Sequence, residues 1–403
     1  MSEQQKTGIS LAFAKVHYFL RMESFAGFLL ILFSVFALLL ANSPWHYQYQ
    51  QFLDFKLSLG YQSFQLSKPV ILWINDALMA VFFLLIGLEL KREILEGQLS
   101  NKSQVILPGL AALGGVIFPA VIYFLLNYQN KTGLAGWAIP MATDIAFALG
   151  VLTLLGKRVP SALKLFLLTL AIFDDLAAII VIALFYTKTL SLWALVMAGV
   201  VISLLAAANR LKVATLFIYL PLGMLLWFFV LKSGVHATIA GVVFAMLIPL
   251  NVTPSAHSPL KFLENKLHAA VTYFILPLFA FANSGINFDG VTWAQLMNSV
   301  SLGVALGLFF GKQFGVFLFS YLTIKLKLAK LPQDTSWRQL YAVSIICGIG
   351  FTMSLFICAL AFESAPMEYN IDGRIGVMLG TLISAIVGYI AMVCACAHSK
   401  KPK

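Results

Sequence analysis

LAIFDDLAAIIVIALF, residues 170–185, lies inside an apolar run from Ser161 to Tyr186. That run exceeds the roughly 20 residues a helix needs to cross a bilayer, and two adjacent acids, Asp174 and Asp175, stand at its centre. A carboxylate at mid-membrane costs roughly 2.5 to 3.5 kcal/mol on insertion scales, and such residues face a bundle interior or a water-filled pathway. The pair therefore reads as a site. The competing reading is that both acids are satisfied inside the bundle and serve only packing or register.

Working outward, the 403-residue chain is 61% hydrophobic and 11% charged, far more apolar than soluble domains, so it is expected to be a polytopic membrane protein forming one domain over 1–403. The net charge of +11 comes from bases in short loops between apolar runs, where they orient a membrane protein, and nucleic-acid binding is not expected. Cys347, Cys358, Cys394 and Cys396 fall in apolar stretches without metal or disulfide spacing, and read as small packing residues. The first 27 residues lack a small-residue cleavage site before the apolar run near Ala26, so that run reads as a retained first helix.

Apolar segments follow at about 23–41, 70–90, 105–127, 134–155, 161–186, 192–208, 214–231, 234–250, 267–283, 300–323, 339–362 and 375–397. Twelve transmembrane helices are expected. If both termini are cytoplasmic, 20 of the 27 Lys and Arg lie inside, six outside and one, Lys312, within a helix, an asymmetry that follows the positive-inside rule. Between the first two segments FLDFKLSLGYQSFQLSK alternates apolar and polar residues around Leu59-Gly60, which predicts an external β-hairpin over about 55–66. A two-stranded ribbon is marginal alone, so pairing with a second protomer, a homodimer, is expected.

Two segments carry interruptions. GWAIPMATDIAFALGVLTLL has Pro140, Thr143 and Asp144 at its middle, and Thr143-Asp144 has the form of a helix N-cap. AVSIICGIGFTMSLFICALAF has Gly348 and Gly350 at its middle, a natural second break. They occupy corresponding positions in two triplets of opposite orientation, at about 105–186 and 300–397. Inverted repeats with paired broken helices mark a midplane transport site.

WINDALMAVFFLLIGLELKRE, GWAIPMATDIAFALGVLTLLGKRVP, LAIFDDLAAIIVIALFYT, LKSGVHATIAGV, ILPLFAFANSGI, LGLFFGKQFG and CGIGFTMSLFIC occur in this order, and from about Gly27 to Tyr389 the chain resembles the NhaA-type sodium/proton antiporter family, itself an example of inverted-repeat transporters. The resemblance implies a secondary antiporter of the bacterial inner membrane that exports Na+ and Li+ for inward H+, electrogenically and under pH control, contributing to sodium and pH homeostasis. It implies no cofactor and no enzymatic activity. By the same resemblance Asp174 pairs with Lys312, and Asp175 faces a cation cavity lined also by Thr143, so Na+ or Li+ would sit at Asp175, Asp174 and Thr143.

The residue types suit that role. Crossed broken helices bring together two positive half-helix ends and two negative ones, each about half a charge; Asp144 can offset the first and Lys312 the second. Lys312 lies too far from either helix end to snorkel easily. Asp174 and Asp175 point about 100° apart on a helix, so they cannot share one partner equally. Oxygen ligands suit hard cations. Burial and a neighbouring carboxylate both penalise the doubly charged state, so protons and sodium compete to neutralise it. Candidates for pH sensing are Glu89, Arg92 and Glu93 at the inner end of the second helix, Glu264 and His268 at the start of the ninth, and His236 in KSGVHAT. Solvated helix-end charges are the bland alternative. Asn265 departs from the family, standing where a histidine is expected.

An intramembrane aspartyl protease also needs two acids sharing a proton, but no GxGD-like motif accompanies either acid and hydrolysis has no use for Lys312. A sodium-coupled symporter can share broken helices; an aromatic or amide-lined solute pocket is not evident. A scaffold would not retain four intramembrane charges costing roughly 10 kcal/mol together.

Overall fold

The structure, a computed structural model, describes residues 23–59, 66–97, 99, 102–187, 190–250, 258–289 and 292–399. The N-terminal stretch read above for a cleavage site, the chain ends and the hairpin centre at Gly60 lie outside the described residues. The chain is mostly helical. Among the described residues eight helices are long and apolar enough to cross a membrane, or up to eleven if each of three bent pairs is one span.

The order begins with α1 (Glu23–Ala41) and α2 (His46–Asp54), set at 112° to each other. β1 (Lys56–Leu59) and β2 (Leu66–Pro69) pair antiparallel, with Leu59 opposite Leu66 and Lys56 opposite Pro69. The expected hairpin forms, but its second strand runs three residues beyond the expected end. Pro69, extended at φ −62°, is both the last strand residue and the cap of the following helix, a position where its missing N–H is not needed. Trp73 Nε1 donates to Leu57 O at 3.2 Å, fastening the ribbon to that helix.

Then come α3 (Val70–Leu95) and α4 (Lys102–Asn127), followed by a 3-10 stretch Gly133–Met141 that bends by 42° into α5 (Ile145–Leu154). α6 (Ser161–Phe185), α7 (Leu192–Arg210), α8 (Leu216–Ser233) and the short α9 (Thr238–Leu247) lead to α10 (Pro259–Ser284) and α11 (Ser299–Lys325). α12 (Trp337–Ile346) bends by 41° into α13 (Phe351–Ala361), and α14 (Met367–Ser399) completes the fold.

Two features position the centre. First, α4 and α11 pack along each other through small residues: a Cβ on Gly114 would overlap the Gly315 carbonyl, and one on Gly311 would stand 2.6 Å from Pro119 Cα. Close backbone approach of this kind holds membrane helices together by dispersion. Second, α3, α10 and α11 each contain one π-helical turn, at Ile74–Leu78, Val271–Ile275 and Gly307–Gly311. Such a turn carries an extra residue and rotates the helix face after it. Lys312 is the first residue past the third of these.

Candidate functional site

Asp174 and Asp175, at the middle of α6, are both buried, as are Thr143, Asp144 and Lys312. Lys312 Nζ lies 2.5 Å from Asp174 Oδ2, and both side chains are fully shielded. Thr143 Oγ1 stands 2.6 Å from the same oxygen and 2.8 Å from the Cys347 carbonyl; its one proton serves one acceptor at a time. Thr143 Oγ1 thus stands beside Asp174 in the buried centre. Asp174 Oδ1 and Asp175 Oδ1 have no hydrogen-bond partner among the described residues. A buried polar atom without a partner points to a ligand, water or ion.

The two breaks are stitched to each other. Asp144 caps α5, Oδ1 accepting from Phe147 N at 3.0 Å. Its Oδ2 accepts from Thr352 N at 3.0 Å and from Thr352 Oγ1 at 2.5 Å, so one carboxylate serves the N-termini of both α5 and α13, where a negative charge is favoured. The carbonyl ends are served reciprocally: Asp144 N donates to Ile349 O at 2.7 Å, and Ser354 Oγ donates to Ile139 O at 2.8 Å. Lys312 makes its short contact with Asp174 and none with these carbonyls.

Gly348 and Gly350 both have negative φ, so backbone freedom does not explain them. Space does. A Cβ at Gly348 would stand 2.5 Å from Leu308 O, and one at Gly350 would be 3.0 Å from Ala142 O and 2.7 Å from Leu308 Cδ2. The glycines let the second break lie against the first and against α11.

A cavity of about 340 Å³ reaches this centre, with Asp144, Asp175 and Thr352 at its inner wall. Glu89, Arg92, Glu93, Glu264 and His268 also line it, from α3 and α10. Arg92 Nε donates to both Glu264 oxygens, at 2.9 and 3.1 Å, and its guanidinium is 2.8 Å from Glu93 Oε1. His236 stands apart from this group. Its Nδ1 is 2.8 Å from Thr238 Oγ1, its Nε2 is 3.8 Å from Asp76 Oδ1, and its ring meets Phe356 edge-on. Asp76 is also 2.5 Å from Lys68 Nζ.

Sequence reasoning missed Thr352, Asp76 and Lys68. A hydroxyl two residues after the Gly348–Gly350 break was the available signal for Thr352, since hydroxyls gather at helix starts. Among the described residues no group of three or more His, Cys, Asp or Glu could hold a metal ion.

These observations define a multi-span helical membrane protein with an ionisable centre buried where two bent helix pairs meet. The chain belongs to the family described as Na+/H+ antiporter 1, whose sequence model matches residues 17–392. It is 54% identical over 386 residues to Na(+)/H(+) antiporter NhaA 2 of Magnetococcus marinus, covering 94% of this chain and 97% of that protein. It is 52% identical over 375 residues to Na(+)/H(+) antiporter NhaA 2 of Shewanella denitrificans, at 93% and 94% coverage. Identity to Na(+)/H(+) antiporter NhaA of Proteus mirabilis is 49% over 379 residues, at 94% and 96%.

Proposed function

We propose that this chain is an electrogenic antiporter of the bacterial inner membrane, exporting Na+ and Li+ from the cytoplasm in exchange for H+. Family membership and relatives named as Na+/H+ antiporters over nearly their full length support sodium and protons as cargo. The observation that carries the mechanism is the Asp175 carboxylate, buried at the cavity wall with Oδ1 unpartnered. With Asp144, Asp174, Asp175 and Lys312 all ionised, the centre carries a formal charge of −2. Such a centre is costly at membrane depth, so it changes sides of the membrane only with a cargo that lowers its charge: one sodium ion at Asp175, Asp174 and Thr143 takes it to −1, and two protons take it to neutrality. Two cargoes that compete for the same carboxylates cannot both be bound, and exchange follows.

Lys312 and Asp144 compensate the charges that the breaks leave inside the membrane. Glu89, Arg92, Glu93, Glu264 and His268 at the cavity, with His236 apart from them, regulate transport by pH. The eight long helices, three bent pairs and Thr238–Leu247 correspond one to one with the twelve apolar segments, which supports twelve spans with both termini on one side; the Lys and Arg asymmetry makes that side the cytoplasm. Repeats at about 105–186 and 300–397 run in opposite directions and cross at their breaks; the hydrogen bonds between the two breaks support the crossing. The β1–β2 ribbon joins two protomers into a homodimer.

The test uses everted vesicles or proteoliposomes made acid inside, with sodium, lithium or potassium added and internal pH followed at several external pH values. Alkalinisation by sodium and lithium but not potassium, reduced to background in Asp175→Asn, is the expected result. Full exchange in Asp175→Asn would remove that residue from the cation site, and no sodium-driven proton movement at any pH would overturn antiport itself.

A further inference from the structure

A second cavity lies at the end of the bundle where α6 begins and α11 ends, away from the acidic centre. Its volume is about 650 Å³, within the range of small-molecule sites. The floor is apolar, formed by Leu107 and Pro108 of α4 and Leu165 and Phe166 of α6. The rim is the connection from α11 to α12, which supplies Lys327 and Lys330.

Charge at this cavity has one sign. Among the described residues no acidic side chain lines it, and no carboxylate forms an ion pair with Lys327 or Lys330. Ala162, also in the lining, belongs to the first turn of α6, where a helix presents its positive end. Two exposed ammonium groups without counter-charges thus flank an oily floor. The rim itself reads Leu326-Lys327-Leu328-Ala329-Lys330-Leu331-Pro332, with Leu326 and Leu328 more than half exposed. Exposed leucines alternating with lysines at the point where spans end fit the headgroup level of a bilayer, where basic pockets between helices take anionic lipid headgroups.

We propose that this cavity binds one anionic phospholipid, its phosphate at Lys327 and Lys330 and an acyl chain along Leu165 and Phe166. A soluble anion would use the lysines and leave the apolar floor against water. A zwitterionic lipid would fill the floor, but its own ammonium offsets its phosphate and leaves the net charge of the two lysines uncompensated. Only an anionic amphiphile matches both halves. The proposal is independent of which ions the protein transports.

The experiment is native mass spectrometry of the full chain in detergent with equimolar phosphatidylglycerol and phosphatidylcholine. The phosphatidylglycerol adduct should dominate by about tenfold and fall roughly fivefold with each of Lys327→Gln and Lys330→Gln, in line with the contribution of a base near an anionic surface. Lys327→Arg with Lys330→Arg should restore it. Equal retention of the two lipids, or undiminished phosphatidylglycerol in the double glutamine variant, would overturn the assignment. So would displacement of the lipid by millimolar inorganic phosphate, which would make the site one for soluble anions. Placement is read with Leu165→Trp: brominated phosphatidylglycerol should quench the added indole, and absence of quenching would put the lipid elsewhere.

Discussion

The two bent helix pairs bend almost equally, by 42° and 41°, yet they are built from different chemistry. The first has an acid and a hydroxyl at its break, Asp144 and Thr143, each hydrogen-bonded to the other pair. The second has Gly348 and Gly350, tight against Leu308, and offers Thr352 and backbone N–H and carbonyl groups in return. The first break brings charge and the second brings room. A shared bend therefore does not imply a shared role, and substitutions on the two sides should fail in different ways.

The largest effect should come from Lys312→Ala. It leaves Asp174 buried with Thr143 of the first break as its one remaining side-chain partner, and removing one member of a buried ion pair costs about 3 to 5 kcal/mol. Thermal melting in detergent should drop accordingly; unchanged melting would show that the hydroxyl of the first break is sufficient. Asp144→Asn should be next. An amide oxygen can replace one carboxylate oxygen and its NH₂ cannot accept, so either α5 or α13 loses its cap, at about 1.5 to 3 kcal/mol for hydrogen bonds to a charged group. Faster amide exchange at one of Phe147 and Thr352, with the other protected, would be the signature. Gly350→Ala should do least, about 1 to 3 kcal/mol of overpacking, with the charge centre intact: sodium affinity should hold while turnover falls. A loss of sodium affinity equal to that of the Asp144 variant would erase the distinction between the breaks.

Much of this was legible in the sequence because a bilayer leaves few solutions. Every buried backbone group must be satisfied, and every charge at depth must have a reason. Hence Asp174, Asp175 and Lys312 stood out, as did the interruptions at Asp144 and Gly348–Gly350. What stayed hidden depends on contacts across more than 200 positions. Thr352 reaches Asp144 over 208 residues and Thr143 reaches Cys347 over 204, and no local pattern encodes such a meeting. The π-helical turn ahead of Lys312 was hidden for another reason: GLFFG fits an ordinary helix equally well, and the close packing of Gly307 and Gly311 on Pro140 and Pro119 is again made with distant residues. The second bend falls at Gly348–Gly350, and what the packing uses there is the space the glycines leave, with φ negative at both.

The single carboxylate of Asp144 has a mechanical consequence. Bound at once to the starts of α5 and α13, it acts as a pin through two levers. Pulling either half-helix away from the other strands a buried N–H, so the pair is geared to travel together, and displacement applied at one break is delivered to the other.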